Sequence, residues 1–157
     1  MNNIGIIHTP YTTPEKMPIQ PVSAGDAAGR IILNRELQDG LLDLDGFSHL
    51  FLIYRFHRSD SYHLLVKPFL DDRQHGVFAT RAPRRPNPIG LSIVILVAIR
   101  ENVIEFMGAD MLDGTPLLDI KPYIPQFDHV EQARSGWLQA SVDEIQDKVS
   151  DDRFIWP

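Results

Sequence analysis

A chain of 157 residues with 21 Asp and Glu against 15 Lys and Arg, a formal net charge of −6, fits one ordinary domain able to bury roughly two-thirds of the surface exposed when unfolded. It has no cysteine, which excludes disulfides, thiolate zinc sites, iron–sulfur clusters and a cysteine nucleophile. No basic start leads into an apolar run, and no stretch approaches the ~20 apolar residues of a membrane helix, so a soluble, cytoplasmic protein without a membrane partner is expected.

In chain order, short β-branched and aromatic runs predict strands over residues 5–7, 30–33, 49–56, 76–80, 91–100, 103–108 and 117–122. Residues 35–42 have the pattern of two helical turns broken by Gly40. The run from Ser92 to Arg100, then Glu101-Asn102, then Val103 to Phe106, predicts a hairpin turning at Glu-Asn. Residues 133–149 carry Trp137, Leu138, Val142 and Ile145 near helical spacing, which predicts a C-terminal helix or tail. Twelve prolines punctuate the strands without forming a linker. Many short strands and few helices predict a mainly β fold, a closed or nearly closed antiparallel barrel with short helices and a C-terminal tail. A Rossmann sheet is disfavoured because no 10–15-residue helices alternate with the strands, and no glycine-rich nucleotide fingerprint occurs. One domain is expected over 1–157, with a core at about 4–128 and an extension over 129–157.

The densest chemical signal runs from Gly76 to Ser92. Pro83, Pro86 and Pro88 fix φ and forbid helix, so Arg81, Arg84 and Arg85 are displayed from a stiff loop. Arginine offers a planar fork for carboxylate or phosphate, Asn87 both donor and acceptor for a polar edge, and Gly90 a close approach of backbone to ligand. The plainer reading, a proline turn with solvated arginines, stands beside this one. Asp113-Gly114-Thr115-Pro116 is a good turn on propensity alone. Alternation puts Asp119 and Lys121 on one strand face, opposite Leu118 and Ile120, and if that face is a barrel interior the pair needs a partner or a ligand. His57 falls where a strand ends, and Pro18-Ile19-Gln20-Pro21 forms another rigid polar loop. The histidines are scattered without metal-ligand spacing, so no metal is expected. Between Arg55 and Arg85, seven Arg and Lys face three Asp, a local +4 within an acidic whole.

Taken together, Phe78-Ala79-Thr80-Arg81, Arg85-Pro86-Asn87-Pro88-Ile89-Gly90, Asp113-Gly114-Thr115-Pro116 and Asp119-Ile120-Lys121-Pro122-Tyr123 resemble the TsaA/TrmO family. Pro18-Ile19-Gln20-Pro21 and Phe47-Ser48-His49 fit the same pattern in the same order. The resemblance spans roughly residues 4 to 128; well-studied bacterial members continue into an additional C-terminal domain, where this sequence has a net acidic stretch. It implies a single-sheeted β-barrel methyltransferase that works as a homodimer and binds S-adenosylmethionine near the subunit interface. The implied reaction is methylation of N6 of threonylcarbamoyl-adenosine beside the anticodon of a threonine tRNA. Carried over by position, the cofactor contacts are Pro18, Ile19, Gln20, His57, Arg58, Arg81, Leu91 and the turn Asp113, Gly114, Thr115 and Pro116. Arg85, Asn87 and Asp119 are expected to arrange the modified base, with Lys121 and Tyr123 as supporting donors. The basic middle, Arg73, Arg81, Arg84 and Arg85, would then steer the tRNA anticodon loop. Methylation of a small molecule, or S-adenosylmethionine binding without turnover, stay open as alternatives.

Overall fold

The computed structural model describes residues 2–15, 17–19, 24–138 and 142–151. Eight strands occur among them: β1 (Gly5–His8), β2 (Ala28–Leu33), β3 (His49–Arg55), β4 (Leu65–Val66), β5 (His75–Gly76), β6 (Ile89–Arg100), β7 (Val103–Met107) and β8 (Thr115–Pro122). Six of them close into an antiparallel barrel in the order β1-β2-β7-β6-β3-β8, and β4 pairs only with β5. Closure leaves the barrel no free edge.

Period-two burial sets the wall. Along β3 the buried residues are Leu50, Leu52 and Tyr54, and along β6 they are Gly90, Ser92 and Val94. Leu50, Leu52, Tyr54 and Val94 join Ile7, Ile31, Leu33, Ile104, Phe106 and Leu117 in one core. Two large rings are accommodated by glycines on the neighbouring strand. A Cβ on Gly29 would lie 2.3 Å from the Phe106 ring, and one on Gly90 would lie 2.2 Å from the Tyr54 ring. Both are directly paired residues, Gly29 with Phe106 and Gly90 with Tyr54. Gly90 therefore makes room for a core side chain.

The hairpin turns at Glu101-Asn102 as expected, with Glu101 at a φ of 53°. Asn102 is tied to the end of β2, its Nδ2 donating to the Leu33 carbonyl at 2.6 Å. Other expectations change. Residues 76–80 do not continue as a strand: Val77–Ala79 forms a 3-10 turn, because Val77 turns inward to pack with Val66 and Ala82. Residues 35–41 form a 3-10 helix. No long helix covers 133–149; beyond α1 (Pro125–Asp128), the described part holds only the short α2 (Val142–Gln146). Of the apolar residues that suggested helical spacing, Ile145 is carried by α2, and Trp137 and Leu138 precede it outside any helix and line a groove at the barrel.

Along β8 the pairing slips between Tyr54, opposite Leu117, and Ile53, opposite Asp119. Leu118 is the extra residue of a bulge, and a bulge re-aims the side chains beyond it. Asp119 and Lys121 consequently pair with Ile53 and Phe51, residues of β3 that alternate with the core positions Leu50, Leu52 and Tyr54. They lie on the outside of the wall, so the condition of a barrel interior is not met. They satisfy one another, with Lys121 Nζ 2.8 Å from Asp119 Oδ2.

Candidate functional site

A groove of about 1170 Å3 opens at one end of the barrel. Its floor comes from the end of β3, the start of β6 and the segment after β7, through Tyr54, Gly90, Asp110 and Met111. One wall is the proline–arginine loop with Phe78, Arg81 and Arg85; another is formed by Met17, Pro18 and Ile19 with the C-terminal residues Trp137, Leu138 and Ile145. The groove continues down the outer side of β6 past Leu91, Ile93 and Ile95. An apolar body with a few converging polar groups is the usual constitution of a small-molecule site.

The polar groups on the floor form a chain. Ser92 Oγ donates to Asp110 Oδ1 at 2.6 Å, and Tyr54 Oη lies 3.0 Å from Ser92 Oγ. Because the serine hydrogen goes to the carboxylate, the tyrosine is the donor of the second bond. Burial pushes the Asp110 carboxyl up to about 7, against the opposing effects of the Ser92 hydrogen bond and the Arg81 charge. Tyr54 is raised too, by burial first and then by the Asp110 charge. A serine on the inward face of an otherwise apolar strand needs a partner, and here it has two. Asp110 is the functional candidate that sequence reasoning missed. Its signal was indirect: Ser92 alternates with Gly90 and Val94 on a core-facing strand.

Around this floor the carried-over residues divide. Pro18, Ile19, His57, Arg58, Arg81, Leu91 and Thr115 share the groove, and Arg85 joins them. His57 Nδ1 approaches Thr115 Oγ1 at 3.4 Å, while that hydroxyl donates to the Leu112 carbonyl at 2.7 Å. The His57 imidazole is held below its ordinary pKa by burial, then by the Arg58 and Arg55 charges, with Asp113 opposing. Arg85 Nη1 donates to the carbonyls of Thr80 at 2.8 Å and Val77 at 3.2 Å, so this guanidinium braces its own loop. Arg84 is turned inward, 8% exposed, and reaches His63 at 3.2 Å.

Asp113 caps the end of β1: its Oδ1 accepts from the Thr9 backbone N–H at 3.1 Å and from His8 Nδ1 at 3.0 Å. Those bonds hold its carboxyl below the usual range. Asp113, Gly114 and Pro116 flank the lining residues Leu112 and Thr115 without lining the groove themselves. Asn87 and Lys121 are exposed and Asp119 and Tyr123 half-buried, and all four are outside the lining. Tyr123 packs instead against Phe51, with ring centroids 5.6 Å apart. Gln20 lies outside the described residues.

The C-terminal segment is fastened at two points. Trp137 stacks on His75 at 4.4 Å and its Nε1 donates to the Ala79 carbonyl at 2.8 Å, while Val149 bridges to Pro18 and the Ser150 N–H donates to the Met17 carbonyl at 2.8 Å. Among the described residues no group of three or more His, Asp or Glu is poised for a metal ion, and no helix is long and apolar enough to cross a membrane.

Residues 6–129 match the family model described as the tRNA-methyltransferase O N-terminal domain. The chain belongs to the TrmO family. It is 50% identical over 152 residues to a probable S-adenosyl-L-methionine-binding protein of Pyrococcus abyssi, covering 97% of this chain and 83% of that protein. To the tRNA (adenine(37)-N6)-methyltransferase of Escherichia coli it is 36% identical, covering 88% of this chain and 63% of the relative. The crystal structure of TrmO from Pseudomonas aeruginosa superposes with a TM-score of 0.73 at 37% identity, over 86% of this chain and 60% of that one. This TrmO-type barrel thus spans about three-fifths of the solved TrmO chain. At that identity the likeness extends to the closed barrel itself, the fold expected from the strand pattern.

Proposed function

We propose that this TrmO-family chain is an S-adenosylmethionine-dependent methyltransferase acting on an adenine N6 in tRNA, with threonylcarbamoyl-adenosine beside the anticodon of a threonine tRNA as the acceptor. The observation that carries the reading is the groove: it gathers seven of the carried-over donor contacts around an apolar trough floored by one desolvated carboxylate. The names of the Pyrococcus and Escherichia relatives supply the chemistry of donor and acceptor.

The methyl donor, when bound, supplies an activated methyl group on a sulfonium. The protein's part is positioning, because an in-line displacement needs donor and acceptor held in near-attack geometry and no covalent enzyme intermediate. Ile19 and Leu91 offer apolar surface for such a ligand, while neutral His57 and Thr115 offer hydrogen bonds. Phe78 is 76% exposed on the groove rim. It provides a face on which a splayed RNA base can stack. Arg58 and Arg81 on the same groove suit the phosphates beside it. This reading also assigns the protein to the cytoplasm, with tRNA.

We also infer a homodimer through the outer face of β6. Leu91, Ile93 and Ile95 are 51, 40 and 48% exposed on the outer face, with Phe51 and Ile53 beside them across the β3 pairing and Val97, 56% exposed, at the irregularity beyond them. A contiguous apolar stripe of this kind marks an interaction surface. Its residues Leu91 and Ile93 also line the groove, so a partner seated there would complete the donor site.

A second reading, donor binding without turnover, is favoured by the Pyrococcus relative's name, which mentions binding alone. One assay separates them. Purified protein with radiolabelled methyl donor is given tRNA from cells that make threonylcarbamoyl-adenosine and from cells that cannot. Label confined to the first pool and lost with Phe78→Ala is the expected result. Donor binding with no label in either pool would hand the function to the second reading.

A further inference from the structure

We propose that Asp110 is the catalytic proton acceptor of methyl transfer, held on the groove floor by the Ser92 hydroxyl, which Tyr54 holds in turn. The proposal rests on the methyltransferase reading and deepens it.

The chemistry asks for such a group. The nitrogen of an exocyclic adenine amine is conjugated with the ring, and an attached carbonyl withdraws its electron pair further, so it attacks a methyl group well only as its proton leaves. In the balanced step the nitrogen's pair forms the new N–C bond. The C–S bond breaks with its pair remaining on sulfur, and the N6 proton passes to an Asp110 carboxylate oxygen. A cationic donor and an anionic aspartate become a neutral thioether and a neutral carboxylic acid, and no further reactant is required.

The geometry fits that role. Asp110 follows the end of β7 without belonging to a strand, yet its carboxylate lies on the floor of the groove and accepts the 2.6 Å bond from Ser92. Ser92 Oγ is itself held by Tyr54 Oη, 3.0 Å away on the neighbouring strand, so the carboxylate is fixed through Ser92 on a residue that lines the groove. The charged and titratable groups that face it are Arg81 on the proline–arginine loop, Tyr54 on β3 and Tyr11 after β1. Among the described residues no ion pair engages the carboxylate of Asp110, whereas Asp71, Asp113 and Asp119 each sit within 4 Å of a basic side chain. A carboxylate desolvated to a titration point near neutrality is matched to taking a proton at physiological pH.

The test compares wild type, Asp110→Asn and Ser92→Ala for turnover with threonylcarbamoyl-adenosine-containing tRNA, and for donor binding by calorimetry. Asp110→Asn is expected to lower kcat, measured at saturating donor, by about 100-fold or more. Ser92→Ala removes a bond that lowers the Asp110 pKa, so the acid limb of its kcat profile is expected at higher pH than in wild type. A signal for the Asp110 carboxyl in carbon NMR, titrating near pH 7 and absent from the asparagine variant, gives a readout independent of turnover. Asp110→Asn at full kcat, or an acid limb unmoved by Ser92→Ala, would each overturn the proton-acceptor role alone. A wild type that binds donor but labels no RNA would overturn the methyltransferase reading and this role with it.

Discussion

Strand β6 presents two faces that teach opposite lessons. Inward, Gly90, Ser92 and Val94 fit the barrel: one leaves room for a ring, one is hydrogen-bonded, one is in the core. Outward, Leu91, Ile93, Ile95 and Val97 are as apolar as core residues and yet 40–56% exposed. Folding explains the inner face by closure, with Ser92 held by Tyr54 and Asp110. It does not explain the outer one, because a barrel wall facing water is stable with polar residues there. Apolar residues that the fold does not use are the ones to assign to function.

The largest expected effect comes from breaking the inner face. Gly90→Ala places a Cβ 2.2 Å from the Tyr54 ring, far inside contact distance, so the ring or the strand must shift. Overpacking of this kind costs about 1–3 kcal/mol, and the Tyr54–Ser92–Asp110 chain would be displaced with it. Urea denaturation reads the loss. A variant as stable as wild type would show that the ring moves freely, and that the floor of the groove is softer than its hydrogen bonds suggest.

How much of this was legible in the sequence follows the same division. Alternation showed the barrel strands because a closed sheet buries every second residue, and Glu101-Asn102 marked the hairpin between two such runs. Val77 to Ala79 read as a continuing strand because valine and phenylalanine favour strands, but Val77 is captured by Val66 and Ala82 and the chain turns. Val142 and Ile145 do fall in the short helix α2, whereas Trp137 and Leu138 lie outside any helix and line the groove. The bulge at Leu118 left no mark in the sequence, so the side on which Asp119 and Lys121 stand was not readable. Asp110 escaped because it follows the end of a strand, where no periodicity exists, and its meaning depends on Ser92 and Tyr54 meeting it from distant points of the chain. Most of the groove was found through motif resemblance, which carried residues such as His57 and Thr115 that spacing alone does not mark.

Asp110 sharpens the comparison at the point where the inner face meets the groove. Its folded-state pKa is about 7 against an ordinary 3.8, so between those values the folded protein holds a proton that the unfolded chain has released. Stability therefore falls as pH rises from about 4 to about 7 and stays level at higher pH. Asp110→Asn keeps an oxygen to accept from Ser92 and has no charge to desolvate. It is expected to be more stable than wild type at about pH 8 and equal to it near pH 4, in parallel denaturant titrations. A difference independent of pH would mean that the carboxylate is better solvated than its place on the groove floor implies.

The smallest effect on folding, and the most informative about the outer face, is expected from Ile93→Lys. Ile93 sits opposite Phe51 on the outside of the wall, 40% exposed. A lysine there extends its stem along the sheet and keeps its charge in water, so the stability of an isolated subunit should change by no more than about 0.5 kcal/mol. In a dimer packed through this face the same charge would be buried without a partner, which is strongly unfavourable. Sedimentation velocity should then show wild type as a dimer and Ile93→Lys as a monomer at equal concentration. Because Ile93 and Leu91 belong to the stripe and to the groove together, the monomeric variant is also expected to bind the methyl donor more weakly although its fold is intact. Undiminished donor binding by a monomer would show that one subunit builds the whole donor site, and the stripe would then have to be explained by the RNA or by another protein.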